Sequence, residues 1–99
     1  MVPPRARSAQ LAKTQAIGYY RVPTVLRLAG FRFMIFQGDA EHAPAHVHAF
    51  KGRTEVVSLL EPVEVRRVND MKRSDVRAAV RIVEDRQGLF EAAWRKFNG

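Results

Sequence analysis

The sequence predicts an α+β domain: a four-stranded antiparallel sheet built from two hairpins, with two C-terminal helices packed on one face. Two observations predict it. Between Thr24 and Leu60, runs rich in β-branched and aromatic residues are joined pairwise by short connections that contain glycine. From Met71 onward, Val76, Ala79, Val80, Val83, Phe90, Trp94 and Phe97 fall at helical spacing and form one apolar stripe.

Residues 1–21 come first and read as a flexible basic arm. They hold two adjacent prolines and no sustained apolar period, and Arg5, Arg7, Lys13 and Arg21 face no acid. That places +4 of the net +7 in the arm and leaves +3 on the domain expected over residues 22–99. The first hairpin pairs Thr24 to Leu28 with Phe31 to Gln37 across Ala29-Gly30. Alternation puts Phe31, Phe33 and Ile35 on one face, and Arg32, Met34 and Phe36 on the other. "GDAEHAP" is a loop, since Gly38, Asp39 and Pro44 favour turns. The second hairpin pairs His46 to Phe50 with Thr54 to Leu60 across Lys51-Gly52-Arg53, and Pro62 is expected to end the last strand. "VEVRRVND" then leads to the helices. Asp70 or Ser74 is the expected cap of the first helix, and the stripe breaks into two helices near Arg86 to Gly88.

Composition bounds the function. At 99 residues the chain has room for one modest core, so a substrate pocket is expected to be shallow. It has no cysteine, which excludes disulfides and thiolate metal sites. No apolar run approaches the length of a membrane span and no secretory leader is visible, so the expected location is the cytoplasm, without a membrane partner. A pI near 10.8 points to polyanions or acidic partners.

The chemistry is concentrated in "EHAPAHVHAF". All three histidines of the chain, His42, His46 and His48, lie in seven consecutive positions with Glu41 beside the first. On a strand, His46 and His48 project from the same face with Cα atoms roughly 6.5–7 Å apart. Three uses compete. His42, His46 and His48 suit a divalent transition metal such as Zn²⁺, with Glu41 as a further ligand or an outer partner. His46 and His48 also suit metal-free ribonuclease chemistry, one as base and one as acid, with Lys51 or Arg53 steadying the phosphoryl charge. The third use is a recognition surface without chemistry. For His42 alone, a solvated loop histidine is the simpler reading. Glu61 is either an exposed strand-end acid or a partner for an imidazole. Two known patterns fail: the histidine triad meets Phe50 where its third histidine belongs, and the cupin pattern wants a glutamate nearer than Glu55, seven residues past His48.

Arg73, Arg77 and Arg81 recur every fourth residue and form a ridge on the first helix. With Arg53 they make a candidate surface for nucleic acid or a protein partner, because guanidinium forks bind phosphate and carboxylate alike. The plainer alternative is a solvated face partly neutralised by Asp85. Phe90, Trp94 and Phe97 have core spacing and are assigned to packing.

"VPTVLRLAGFRFMIF", "HAPAHVHAFKG", "LLEPVEV" and the terminal "AAWRKFNG" together resemble the bacterial and archaeal family called domain of unknown function 4160, over residues 22–99. The most specific element is Pro44, His46, Val47 and His48 followed by Lys51-Gly52. Genes of that family often sit beside a small gene of the family called domain of unknown function 2442, an arrangement similar to toxin–antitoxin pairs. The resemblance implies a small interaction protein of such a pair, binding a cognate small protein encoded nearby, with RNA or DNA as a further candidate ligand. It assigns no catalytic residue. The alternative is a ribonuclease or metal-dependent hydrolase acting through His46 and His48, and an open sheet edge would allow a homodimer.

Overall fold

A computed structural model describes residues 24–37 and 44–98. The expected arm over residues 1–21, and Glu41 and His42, lie outside the described residues. The chain runs β1 (Thr24–Leu28), β2 (Phe31–Met34), β3 (His46–Lys51), β4 (Thr54–Leu60), β5 (Val63–Asn69), α1 (Arg73–Asp85) and α2 (Gln87–Asn98). The strands form one antiparallel meander in the order β1-β2-β3-β4-β5.

Among the described residues the sheet therefore has five strands, and the expectation of four is corrected. Pro62 does not end the sheet; it sits with Glu61 in the two-residue connection between β4 and β5, where Leu60 pairs with Val63. Proline removes a ladder donor only if it stands in the ladder. In the turn it costs nothing, and the alternating residues after it form an edge strand. Every residue of β5 after Val63 is exposed.

The other hairpins turn where backbone chemistry allows. Ala29 and Gly30 both have positive φ, at 54° and 84°, as the twist of a two-residue hairpin requires. Lys51 pairs with Thr54, so the second loop is Gly52-Arg53, with Gly52 at φ 60° in its first position. This loop is one residue shorter than the sequence suggests, because Lys51 belongs to the strand.

The helices do meet near Arg86. Its N–H is shared between the carbonyls of Ile82 and Val83, and its own carbonyl accepts from Phe90 N–H in the next helix. Neither Asp70 nor Ser74 caps α1. Lys72 takes that position without a side-chain hydrogen bond, its carbonyl accepting from Asp75 and Val76 N–H. Asp70 instead has a φ of 59° at the close of β5.

Phe31, Phe33, Ile35, Val47, Ala49 and Val56 share one sheet face and pack against Met71, Ala79, Val83 and Phe90. Phe33 and Phe90 are both fully buried, with ring centroids 5.3 Å apart. The second helix spans the end of the sheet where β2 and β4 finish and β3 begins: Gln87 donates to the Leu60 carbonyl, and Asn98 donates to the Phe36 carbonyl at 3.3 Å. Trp94 and Phe97 pack against the core from this helix, as their spacing predicts. No helix among the described residues is long and apolar enough to cross a membrane.

Phe90 joins both layers. Phe90→Ala is expected to lower unfolding free energy by about 3–5 kcal/mol in urea denaturation, and a loss below about 1 kcal/mol would show that α2 is not anchored there.

Candidate functional site

The even positions of β3 project away from the face that carries Val47 and Ala49. His46, His48 and Phe50 line up there as a row of rings. His48 and Phe50 are nearly parallel with centroids 6.3 Å apart, His46 and His48 meet at 5.1 Å, and Trp94 of α2 meets His46 at 5.1 Å. Phe36 presents to His48 edge-on at 4.5 Å, and the Arg32 guanidinium lies 5.4 Å from the Phe50 ring centre. The two-residue repeat of the strand thus brings the predicted histidine pair together on one side.

Each imidazole is held through Nδ1. His46 Nδ1 lies 3.0 Å from the Pro44 carbonyl, and His48 Nδ1 lies 2.8 Å from Glu55 Oε2. A carbonyl oxygen only accepts, so Nδ1 of His46 carries the hydrogen. A carboxylate favours the same arrangement at His48. In its neutral form each ring is thereby set in the tautomer whose lone pair is on Nε2, the form in which histidine acts as base or metal ligand. The cluster is mostly closed to water: His46 is 7% exposed, and the side chains of His48 and Glu55 are 12% and 14% exposed.

Glu55 is the residue that sequence reasoning missed. It is the imidazole partner for which Glu61 was a candidate; Glu61 is exposed and lines a shallow hollow with Ala45, Glu91, Trp94 and Arg95. The signal was in the loop length. With Lys51 opposite Thr54, Phe50 pairs with Glu55 and His48 with Val57, so Glu55 is the diagonal neighbour of His48 on the same face. A three-residue loop shifts this parity and sends Glu55 to the other side.

Two further groups hold the carboxylate. Asn69 Nδ2 donates to Glu55 Oε1 at 2.8 Å, and an Arg67 guanidinium nitrogen lies 4.0 Å from the same oxygen. Burial pushes the Glu55 carboxyl up, but the hydrogen bonds from His48 and Asn69 and the positive charges of His48 and Arg67 outweigh it, and the group is held below its ordinary value.

Lys51 is not brought to the histidines. As an odd position of β3 it projects to the helix side, where Nζ lies 3.2 Å from Asp75 Oδ1 and 5.4 Å from the Phe31 ring centre. No group of three metal-ligating side chains occurs among the described residues, and the third histidine of the proposed set, His42, lies outside them. Arg53 is exposed in the β3–β4 turn, while Arg73, Arg77 and Arg81 are exposed along α1. Among the described residues none of these four arginines forms an ion pair.

The family model described as "Domain of unknown function (DUF4160)" matches residues 30–95. The chain belongs to that family. The match spans the segment from the first hairpin turn to α2, including the histidine strand, Glu55 and the arginine ridge, and its description carries no activity. No curated protein and no solved structure matches the chain.

The depressed Glu55 carboxyl fixes a sign. Stability contributed by its ionised form is present above the unfolded value and is lost as pH falls through the lower folded value. In urea denaturation the wild type is expected to exceed Glu55→Gln clearly near about pH 6, with the gap narrowing steadily as pH falls below the ordinary carboxylate value of 4.5. A gap that stays constant across that range would contradict the assignment.

Proposed function

We propose that the protein is an interaction module, one member of a toxin–antitoxin-type pair, which binds its cognate small protein through the arginine-lined side of α1. A single observation supports this best: Arg73, Arg77 and Arg81 stand exposed in one row without an acidic partner among the described residues. Charges arranged this way attract an oppositely charged surface and select against like-charged ones. The histidine cluster is filled by its own rings and hydrogen bonds, which suits a keystone of the sheet better than a substrate site. Contact with RNA or DNA through the same arginines is part of the proposal, since phosphate is a guanidinium ligand.

One observation favours a second reading, a ribonuclease or metal-dependent hydrolase. Glu55 on Nδ1 of His48 is the carboxylate–imidazole arrangement that general bases and metal ligands share.

Co-expression with a small protein encoded beside it, the cognate partner that the interaction reading requires, separates the two. The interaction reading expects a complex that survives His46→Ala and His48→Ala and is lost on charge reversal of Arg77 and Arg81 together. Absence of a complex, together with absence of an RNA mobility shift at low salt, would remove its support. The hydrolase reading expects RNA cleavage abolished by His48→Ala and weakened by Glu55→Gln, with Lys51→Ala indifferent because Lys51 faces the other way.

A further inference from the structure

Two valines of β5 are exposed, and one of them, Val65, lies beside the arginine ridge. Val65 and Val68 of β5 are 40% and 44% exposed, although Val65 pairs with Ser58 and Val68 with Val56 on the helix side of the sheet. The first helix therefore does not close over β5. Between them runs a groove of about 360 Å³ lined by Val65, Val76 and Val80, with Arg77, Arg81 and Glu84.

We infer that this groove seats an extended segment of the protein partner in which acidic residues alternate with apolar ones; the inference rests on the interaction reading above. Arginines one helical turn apart are separated by about 6 Å along the axis. Alternate residues of an extended chain are about 6.5–7 Å apart. Carboxylates at every second position thus keep step with Arg73, Arg77 and Arg81, and the side chains between them meet the valines. Charge decides among occupants. A second copy of this chain would set arginine ridge against arginine ridge, whereas an acidic segment neutralises both exposed guanidinium groups at the groove. Chemistry decides against bases as the occupant of the groove itself, because single-stranded bases bind by stacking on aromatic rings and the apolar lining is valine; phosphate contact along the arginine ridge needs no groove. Strand β5 also carries one extra residue, Arg66, where the register against β4 shifts between Val57 and Ser58. Such bulges disfavour simple strand addition, which places the contact in the groove rather than on the β5 edge.

The test is titration of the full chain with labelled six-residue peptides. The probe is Glu-Leu-Glu-Val-Glu-Leu; controls replace glutamate by lysine or the apolar residues by serine, and a single-stranded RNA of mixed sequence is run beside them. The acidic–apolar peptide is expected to bind best, and Arg77→Glu and Val65→Ser are each expected to weaken it by about tenfold. Both positions are exposed, so both variants should melt like the wild type. Binding of the peptide that ignores Val65→Ser, or RNA binding tighter than the peptide, would overturn the groove assignment. So would a partner complex that persists in the Arg77→Glu, Val65→Ser double variant, an outcome that leaves the interaction reading standing. Failure of the wild type to form any complex would overturn that reading first.

Discussion

The pairing of Lys51 with Thr54 is the constraint from which the rest of this domain follows. Side chains on a strand alternate with period two, so one residue more or less in the Gly52-Arg53 turn would exchange the two faces of β4 relative to β3. In the register observed, Val47, Ala49 and Val56 reach the helices, while His46 and His48 reach the other side with Glu55. Lys51, one step from Phe50, goes to the helix face and pairs with Asp75. A single backbone turn thus decides what is core, what is cluster, and which basic residue serves neither.

The histidine cluster is held by exchange of hydrogen bonds for water. His48, Glu55 and Asn69 link three neighbouring strands through side chains, and Arg67 adds a third contact to the carboxylate. Hydrogen bonds to a charged group are worth roughly 1.5–3 kcal/mol each, and here, with the nearby positive charge, they outweigh the cost of burying the carboxylate, which is held below its ordinary value. The rings of Phe36, Phe50 and Trp94 supply the surroundings that make those bonds strong. The same features leave the cluster inward-looking. The charge offered to the outside is on α1, where Arg73, Arg77 and Arg81 form no ion pair among the described residues.

Much of this was legible in the sequence, and the failures have physical causes. The Ala29-Gly30 turn, the alternation of Phe31, Phe33 and Ile35, the placing of His46 and His48 on one side, and the break near Arg86 all depend on local geometry that residue type dictates. The fifth strand was hidden because β5 is an edge strand: Glu64, Arg66 and Arg67 look like a linker, and Pro62 looks like a terminator when it is read without its turn. Glu55 was hidden because it lies seven residues from His48 in sequence, and only the exact loop length shows that the two are diagonal neighbours. The groove beside Val65 depends on how far α1 stops short of β5, a tertiary distance that no periodicity encodes.

The central claim is a division of labour, with a closed histidine cluster that supports the sheet and an arginine-lined side of α1 that meets the partner. Amide chemical-shift mapping of the isotopically labelled full chain against the cognate small protein of the proposed pair tests it most directly. The account predicts the largest changes along Arg73 to Glu84 and at Val65 and Val68, with His46, His48 and Glu55 little moved. Changes concentrated on β3 around the histidines, with α1 silent, would contradict it.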